Sequence, residues 1–298
     1  MKKEGKNMKK IVMATLLMGL VGIASAQVAV TGKVSQFVDN TKTNGAAGTT
    51  QLVTEPTSNI AVSVNERLAG GLTARATVET SLRGNTIDGD GTRLGDRQST
   101  VGLANKFGSV DLGRNVHSHF LAITNNDVFG TLYGSIAGDV HNLRSLRFSD
   151  AVFTNVSLGK GASLAYERSM NGPGADASVV AISGRLLNVN GTVSRFEQGT
   201  EKTMVVGLNT KLAGNTIALV HSDTQGAVNS KGNTVGVARD FGRVTAKASY
   251  GETNRDVKAY ALGADYNFSK RTAVTVAYRN VDAATDIKSI GVGLTHRF

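Results

Sequence analysis

The chain has 298 residues, with 33 Lys and Arg against 23 Asp and Glu, 35 Gly, 2 Pro, no Cys, no Trp and 5% aromatics. The lack of Cys excludes disulfides, thiol catalysis and Cys-ligated metal. Apolar residues scattered one at a time argue against a large α/β core, whose parallel strands read as continuous apolar runs.

From Met8, "MKKIVMATLLMGLVGIASAQ" places two lysines before an apolar stretch over 11–23 and small residues at 24–26. That is the layout of a secretory leader, so residues 1–26 are expected to be a signal peptide, with cleavage after Ala26. The leader holds five Lys and one Glu, a net of +4, so its removal lowers the formal charge from +10 to +6. A basic exported chain without an aromatic-interleaved basic patch does not point to nucleic acid. Beyond the leader no apolar stretch is long enough for a membrane-spanning helix.

From position 27 onward the residues alternate with a period of two. "VAVTGKVSQF" (28–37) sets Val28, Val30 and Val34 against Thr31, Lys33 and Ser35. "LTARATVETS" (72–81) sets Leu72, Ala74, Ala76 and Val78 against Thr73, Arg75, Thr77 and Glu79. The segments at 244–251, 259–268 and 273–279 and the terminal "KSIGVGLTHRF" repeat the pattern. Two-residue spacing indicates strands. Short Gly, Asn or Ser turns at 67–71, 106–109, 212–215, 240–243 and 268–271 separate them. Longer polar stretches fall at 40–58, 83–96, 168–176, 197–202, 222–233, 252–256 and 282–287.

Short turns at one end and long loops at the other describe an up-and-down meander of about sixteen strands. In lipid an open sheet edge would leave backbone groups unsatisfied, so the sheet must close. The fold expected over 27–298 is therefore all-β, an antiparallel transmembrane barrel in the bacterial outer membrane. Closure would pair the last strand with the first and put Phe298 among the ring-bearing residues at the bilayer edge. One connection breaks the rhythm. "LAITNNDVFGTLYGSIAGDVHN" (121–142) lacks alternation, and so long a connection is expected to fold inward and narrow the lumen.

Five stretches together resemble the Gram-negative trimeric porins, closest to the beta-proteobacterial kind. They are "DRQSTVGLANKFGSVDLGRN" (96–115), "NDVFG" (126–130), "SLRFSD" (145–150), "YALGADYNFSKRTAVTVAYRN" (260–280) and "GVGLTHRF" (291–298). The resemblance implies a sixteen-stranded homotrimeric channel for passive diffusion of small hydrophilic solutes and ions, with no cofactor and no enzymatic activity. It also implies a third external loop in the lumen and a terminal Phe298 read by the outer-membrane assembly machinery. By position, Arg114 and Arg147 match basic residues of the constriction wall, and Asp127 falls in the acidic inward loop. Asn59 stands where the family tends to have Arg, and Ala76 where it often has Trp.

Alternation adds Arg75 and Lys33 to the basic side and Glu79 to the acidic side, and with +6 overall this suggests a mild anion preference. Strict counting puts Arg114 on the side of Val110 and Leu112, so a bulge or the strand end must turn it inward. His117 and His119 could be two ligands on one face, but no nearby carboxylate completes a metal set. Ser, Asp and His within "SVDLGRNVHSH" lack the nucleophile-elbow text of a hydrolase. A solute-specific channel and a barrel enzyme such as a lipase or protease are the alternative readings.

Overall fold

The computed structural model describes residues 26–82, 94–130, 132–143, 146–170 and 176–298. Apart from Ala26, the expected leader lies outside the described residues. The strands in chain order begin with β1 (Ala26–Thr43), β2 (Thr49–Thr54), β3 (Asn59–Arg67), β4 (Thr73–Ser81), β5 (Gln98–Asn105) and β6 (Gly108–Val116). Two short helices come after them, α1 (Ser118–Thr124) and α2 (Ala137–Val140). Next are β7 (Arg147–Gly159), β8 (Ala162–Ser169), β9 (Ala177–Leu186), β10 (Val189–Gln198), β11 (Glu201–Leu212) and β12 (Asn215–Gln225). The remaining five are β13 (Ser230–Phe241), β14 (Val244–Thr253), β15 (Lys258–Asn267), β16 (Thr272–Asp282) and β17 (Ile287–Arg297).

Each strand pairs antiparallel with its neighbour, and β17 returns to β1, from Lys33 opposite Arg297 to Thr43 opposite Ile287. These segments make sixteen positions around a closed barrel, because β2 and β3 share one. Residues 36–41 of β1 pair with β2, and residues 26–33 pair with β3 on the same side. Between them, Glu55–Ser58 interrupts the ladder. Pro56 has no N–H to contribute to it. Ser58 fills the gap by accepting from Ser35 N on its hydroxyl at 3.1 Å.

The seam closes as expected from the last strand. Gly32 N donates to Phe298 O and Phe298 N to Gly32 O, both at 3.0 Å. A Cβ on Gly32 would lie 2.4 Å from the Phe298 ring, so a side chain there would displace it.

The polar stretch at 40–58 is not one loop. Residues 40–43 extend β1 and 49–54 form β2, which leaves a turn at 44–48. Near the barrel rim both faces meet water, so the apolar alternation fades although Thr still suits a strand. Similarly, 197–202 shrinks to a two-residue turn and 222–233 to four residues. β1 with 18 residues and β11 and β13 with 12 each exceed the roughly 9–11 residues that a tilted span requires. The longer connections, including 82–97 and 117–146, share one end of the barrel, which is the external end.

Outward residues are apolar and exposed, as Val30 (53%), Val101 (59%) and Leu294 (52%) illustrate. The buried apolar residues are inside the ring. One cluster joins Phe148, Phe153, Val179 and Phe196, and two others join Ile123, Phe129, Ile136 and Val140 to inward residues of β11, β12, β15 and β16.

Candidate functional site

The segment between β6 and β7 starts at α1. Glu167 on β8 accepts from Ser118 N at 2.8 Å and Ser118 Oγ at 2.6 Å, placing a carboxylate at the positive end of that helix. His117 Nδ1 accepts from Phe120 N, and the His117 ring packs 4.7 Å from Phe148. His119 Nδ1 meets Ser194 Oγ at 3.0 Å.

From there the segment crosses the inward faces of alternate strands, each at a glycine. A Cβ would come within 2.2 Å of Ala122 O at Gly207 and 2.8 Å of Val128 Cγ2 at Gly236. It would come within 2.8 Å of the Phe129 ring at Gly263 and 2.4 Å of the Tyr133 ring at Gly291. The tip is tied to β1 and to the β2–β3 break. Tyr133 stacks on Phe37 with centroids 4.6 Å apart, donates its hydroxyl to Asp39, and gives its backbone N–H to Glu55 at 3.1 Å. On the way back, Arg279 pairs with Asp139 at 3.0 Å, and His141 meets Ser222 at 2.8 Å and Thr234 at 3.1 Å.

Burial lowers the pKa of His119 to about 3, with His117 and His141 adding to the effect. It lowers His141 to about 4, helped by His221. Both anchors are thus neutral imidazoles at pH 7. Burial also raises Asp139, against the pull of Arg279.

The described part of the segment therefore tracks the wall from β8 through β17 to β1, and the inward faces of β3–β6 carry none of these contacts. That stretch holds most of the charges read from the sequence. Arg75 on β4 forms a two-bond fork with Asp111 on β6, Nε to Oδ1 at 2.6 Å and Nη2 to Oδ2. The pair reaches across β5 at Gly102, which stands opposite both residues. A Cβ on Gly102 would come within 2.2 Å of Asp111 Oδ1, so only glycine leaves the passage open. Such fork geometry is the strong form of the ion pair.

Glu79 sits on the same wall as Arg75. It accepts from Asn59 at 2.6 Å and pairs with Arg97 at 2.5 Å, while Arg97 also donates to Pro56 O at 2.8 Å. Arg97 thus brings a cation beside Asn59, where the resemblance lacked one. Lys33 pairs with Glu55 at 3.0 Å. Asp127 accepts from Phe129 N at 2.9 Å and from Ser135 Oγ at 2.5 Å, bonds that shape its own turn.

The irregularity required at Arg114 is present. The β6–β7 register shifts between Gly113 and Asn115, opposite Asp150 with its positive φ of 48°. Arg114 donates to Asp96 O at 2.6 Å and to Ser149 Oγ. Arg147 lies in the field of Arg97, Arg114, Glu79 and Asp96, and its Nε is buried with no partner among the described residues. His117 and His119 lie 6.1 Å apart at their centroids, and no group of three metal-ligating side chains occurs among the described residues.

Sequence reasoning missed Asp111, Glu55, Arg97, Asp39 and Arg279. Asp111 was legible, since it alternates with Val110 and Leu112. Glu55 was hidden in a stretch read as loop.

A profile of the family described as Gram-negative porin matches residues 14–298. Among curated proteins no sequence matches. Among solved structures, the anion-selective porin from Comamonas acidovorans superposes with a TM-score of 0.79 at 18% identity, covering 92% of this chain and 100% of that one. OmpF of Salmonella typhi, in complex with daunomycin, gives 0.75 at 17% identity, covering 92% and 98%. OmpT of Vibrio cholerae in its trimer form gives 0.69 at 12% identity, covering 92% and 100%.

Proposed function

The chain belongs to the Gram-negative porin family, channels of the outer membrane that pass solutes by diffusion and catalyse nothing, and from that premise we propose a general porin with a mild preference for anions. One observation carries the preference. Lys33, Arg75 and Arg97 on the open wall are each matched by a carboxylate, whereas Arg114 and Arg147 have none within ion-pair distance among the described residues. With Asp96, which accepts from Ser81 beside them, the described residues still set five cations (Lys33, Arg75, Arg97, Arg114, Arg147) against four carboxylates (Glu55, Glu79, Asp96, Asp111).

In this reading the β6–β7 segment narrows the lumen, and solutes pass between it and the charged wall of β3–β6. Low-dielectric protein on both sides strengthens the field there relative to a free surface. Arg114 and Arg147 draw anions in. Arg75 and Lys33, tied to Asp111 and Glu55, act as dipoles across the path more than as net charge. Glu79 offsets Arg97, and Asp127 holds the shape of the narrowing turn. The selectivity printed for the Comamonas relative supports the same sign.

A homotrimer is supported by the distribution of outward aromatics. Phe241, Tyr250, Tyr260, Tyr266, Phe268 and Tyr278 lie on β13–β16 and beside them, while β1–β4 contribute no outward aromatic of their own and, among the described residues, meet the Phe298 ring at Gly32 on the seam. Rings mark a lipid interface. A sector without them suits contact with another copy of the chain, and the trimer form printed for the Vibrio relative agrees. Residues 1–26 act as the export leader, and Phe298 serves the assembly machinery as a terminal aromatic signal.

Planar-bilayer recording of the purified protein tests this reading. Reversal potentials in a KCl gradient should favour chloride, and Arg114→Gln with Arg147→Gln should remove the preference. A cation preference in the unaltered channel would overturn it. Conductance steps in groups of three would establish the trimer.

A further inference from the structure

We propose that the short-turn end of the barrel, along the arc from β5 to β16, binds anionic glycerophospholipid headgroups of the leaflet that surrounds it. The inference requires the outer-membrane barrel and is independent of its ion preference.

Six short turns make up this arc, closing β5–β6, β7–β8, β9–β10, β11–β12, β13–β14 and β15–β16 at the end opposite the long external loops. Each sets a Lys or Arg within two residues of an exposed apolar side chain. Lys106 adjoins Phe107, Lys211 adjoins Leu212, and Lys270 follows Phe268 by two residues. The turns after β7, β9 and β13 repeat the arrangement. Phe107 is 66% exposed and Leu187, in the turn after β9, 87%, and such side chains suit the acyl boundary of a bilayer. A cation beside them lays its stem on the apolar surface and carries its charge to headgroup level. Two turns already show that contact. Lys106 Nζ lies 4.9 Å from the centre of the Phe107 ring, and the Arg239 guanidinium 5.3 Å from that of Phe241.

Charge decides which headgroup fits. Within these turns the one carboxylate is Asp240, and it accepts from Thr245 Oγ1 at 2.7 Å. Among the described residues, none of the turn cations lies within ion-pair distance of a carboxylate. The external end differs. There Arg168 pairs with Asp176 at 3.1 Å, Arg195 with Glu197 at 2.6 Å and Lys231 with Asp223 at 3.2 Å. One exposed lysine is fully served by water, but a cation at every turn of the arc raises a field of one sign along the rim. An acidic protein docking from the periplasm would touch a few neighbouring turns, whereas a leaflet meets all of them at one height. The sector of β1–β4, read above as contact with another copy, lies outside the arc, so the rim stays open to lipid in a trimer.

The test reconstitutes the full-length channel in phosphatidylcholine vesicles. Electron spin resonance then compares how strongly the protein immobilises spin-labelled phosphatidylglycerol and spin-labelled phosphatidylcholine. At low salt phosphatidylglycerol is expected to associate roughly fivefold more strongly, the contribution of one cation at an anionic headgroup. The ratio should fall toward one in about 1 M NaCl, where the screening length drops to about 3 Å. Combining Lys106→Gln, Lys160→Gln, Lys211→Gln and Lys270→Gln should bring it near one at low salt. Lys42→Gln with Lys288→Gln, which face each other at the external end, should leave it unchanged. Exposed turn tips tolerate such changes, and Lys106→Gln or Lys270→Gln alone should move the ratio the same way in smaller steps. A ratio near one in the unaltered protein at low salt overturns the proposal, as does a ratio that the combined variant keeps or the external variant loses. Normal conductance steps from the same preparation leave the channel reading intact whichever way the ratio falls.

Discussion

The two sides of the lumen are built from opposite materials on one scaffold. From β11 to β17 the inward positions that meet the β6–β7 segment are largely small, as Gly207, Gly236, Gly263 and Gly291 show. From β3 to β6 they are charged or polar: Asn59, Arg75, Glu79, Gln98 and Asp111. Both sides are antiparallel meanders, although the ladder break at 55–58 and the register shift at Arg114 fall on the charged side. What differs is the covering. A wall that receives another piece of chain must give up side-chain volume, whereas a wall that faces water can carry long charged side chains held in pairs. Among the described residues, two of the three buried apolar clusters are contacts between segment and small-residue wall, where burying a ring such as Phe129 contributes about 1.5–3 kcal/mol.

The largest test of that difference puts bulk on the covered side. Gly207→Val would drive a side chain into the backbone oxygen of Ala122, so the start of the segment should lift away. Single-channel conductance should then roughly double, since the free bore of a barrel of this size depends on what fills it. Conductance equal to that of the unaltered channel would show that the segment does not limit flow.

Next in size is a change on the open side. Arg75→Gln strands Asp111, whose side chain is 12% exposed, at a cost of about 1–2 kcal/mol, reduced from that of a fully buried pair because Arg75 itself is 38% exposed. Denaturant unfolding in detergent measures the loss. Reversal potentials should move toward cations, because the carboxylate stays and the guanidinium goes. The reverse change, Asp111→Asn, should move them toward chloride.

Acid should separate the walls without mutation. His119 and His141 titrate near 6.5 when free and at about 3 and about 4 when docked. Each therefore stabilises the docked segment fully above pH 6.5. That contribution falls by about 1.4 kcal/mol per pH unit as the pH drops toward the docked value. Channel noise and conductance should rise between pH 6 and pH 4, and His141→Gln should flatten part of the rise. The smallest effect belongs to a charge on neither wall. Arg195 pairs with Glu197 at an outward, half-exposed position, so Arg195→Ala should change stability by less than about 0.5 kcal/mol and leave selectivity unaltered.

Much of this was readable along the chain. Alternation at 72–81, 244–251 and 259–268 assigned inside and outside correctly, because lipid on one face and water on the other impose a period of two at every strand. The barrel has the sixteen positions expected, although β2 escaped notice: Thr49–Thr54 lies where water wets both faces and the apolar signal fades. Alternation placed Arg75 and Glu79 on one strand face but could not pair them. Their partners, Asp111 and Arg97, come from elsewhere in the sequence. Likewise the polar run "EPTS" at 55–58 gave no sign that Glu55 would join Lys33 to the Tyr133 backbone.

The sequence by itself determined a closed ring of strands, its orientation and the residues that face its lumen, since those depend on local periodicity and on the demand that backbone groups in lipid be satisfied. Only the tertiary structure decided which arc of wall would be covered and which left to water. That choice is made by contacts between residues far apart in sequence, such as Ala122 on Gly207 and Tyr133 on Gly291. A glycine carries no mark in the sequence of the side chain that will occupy its place.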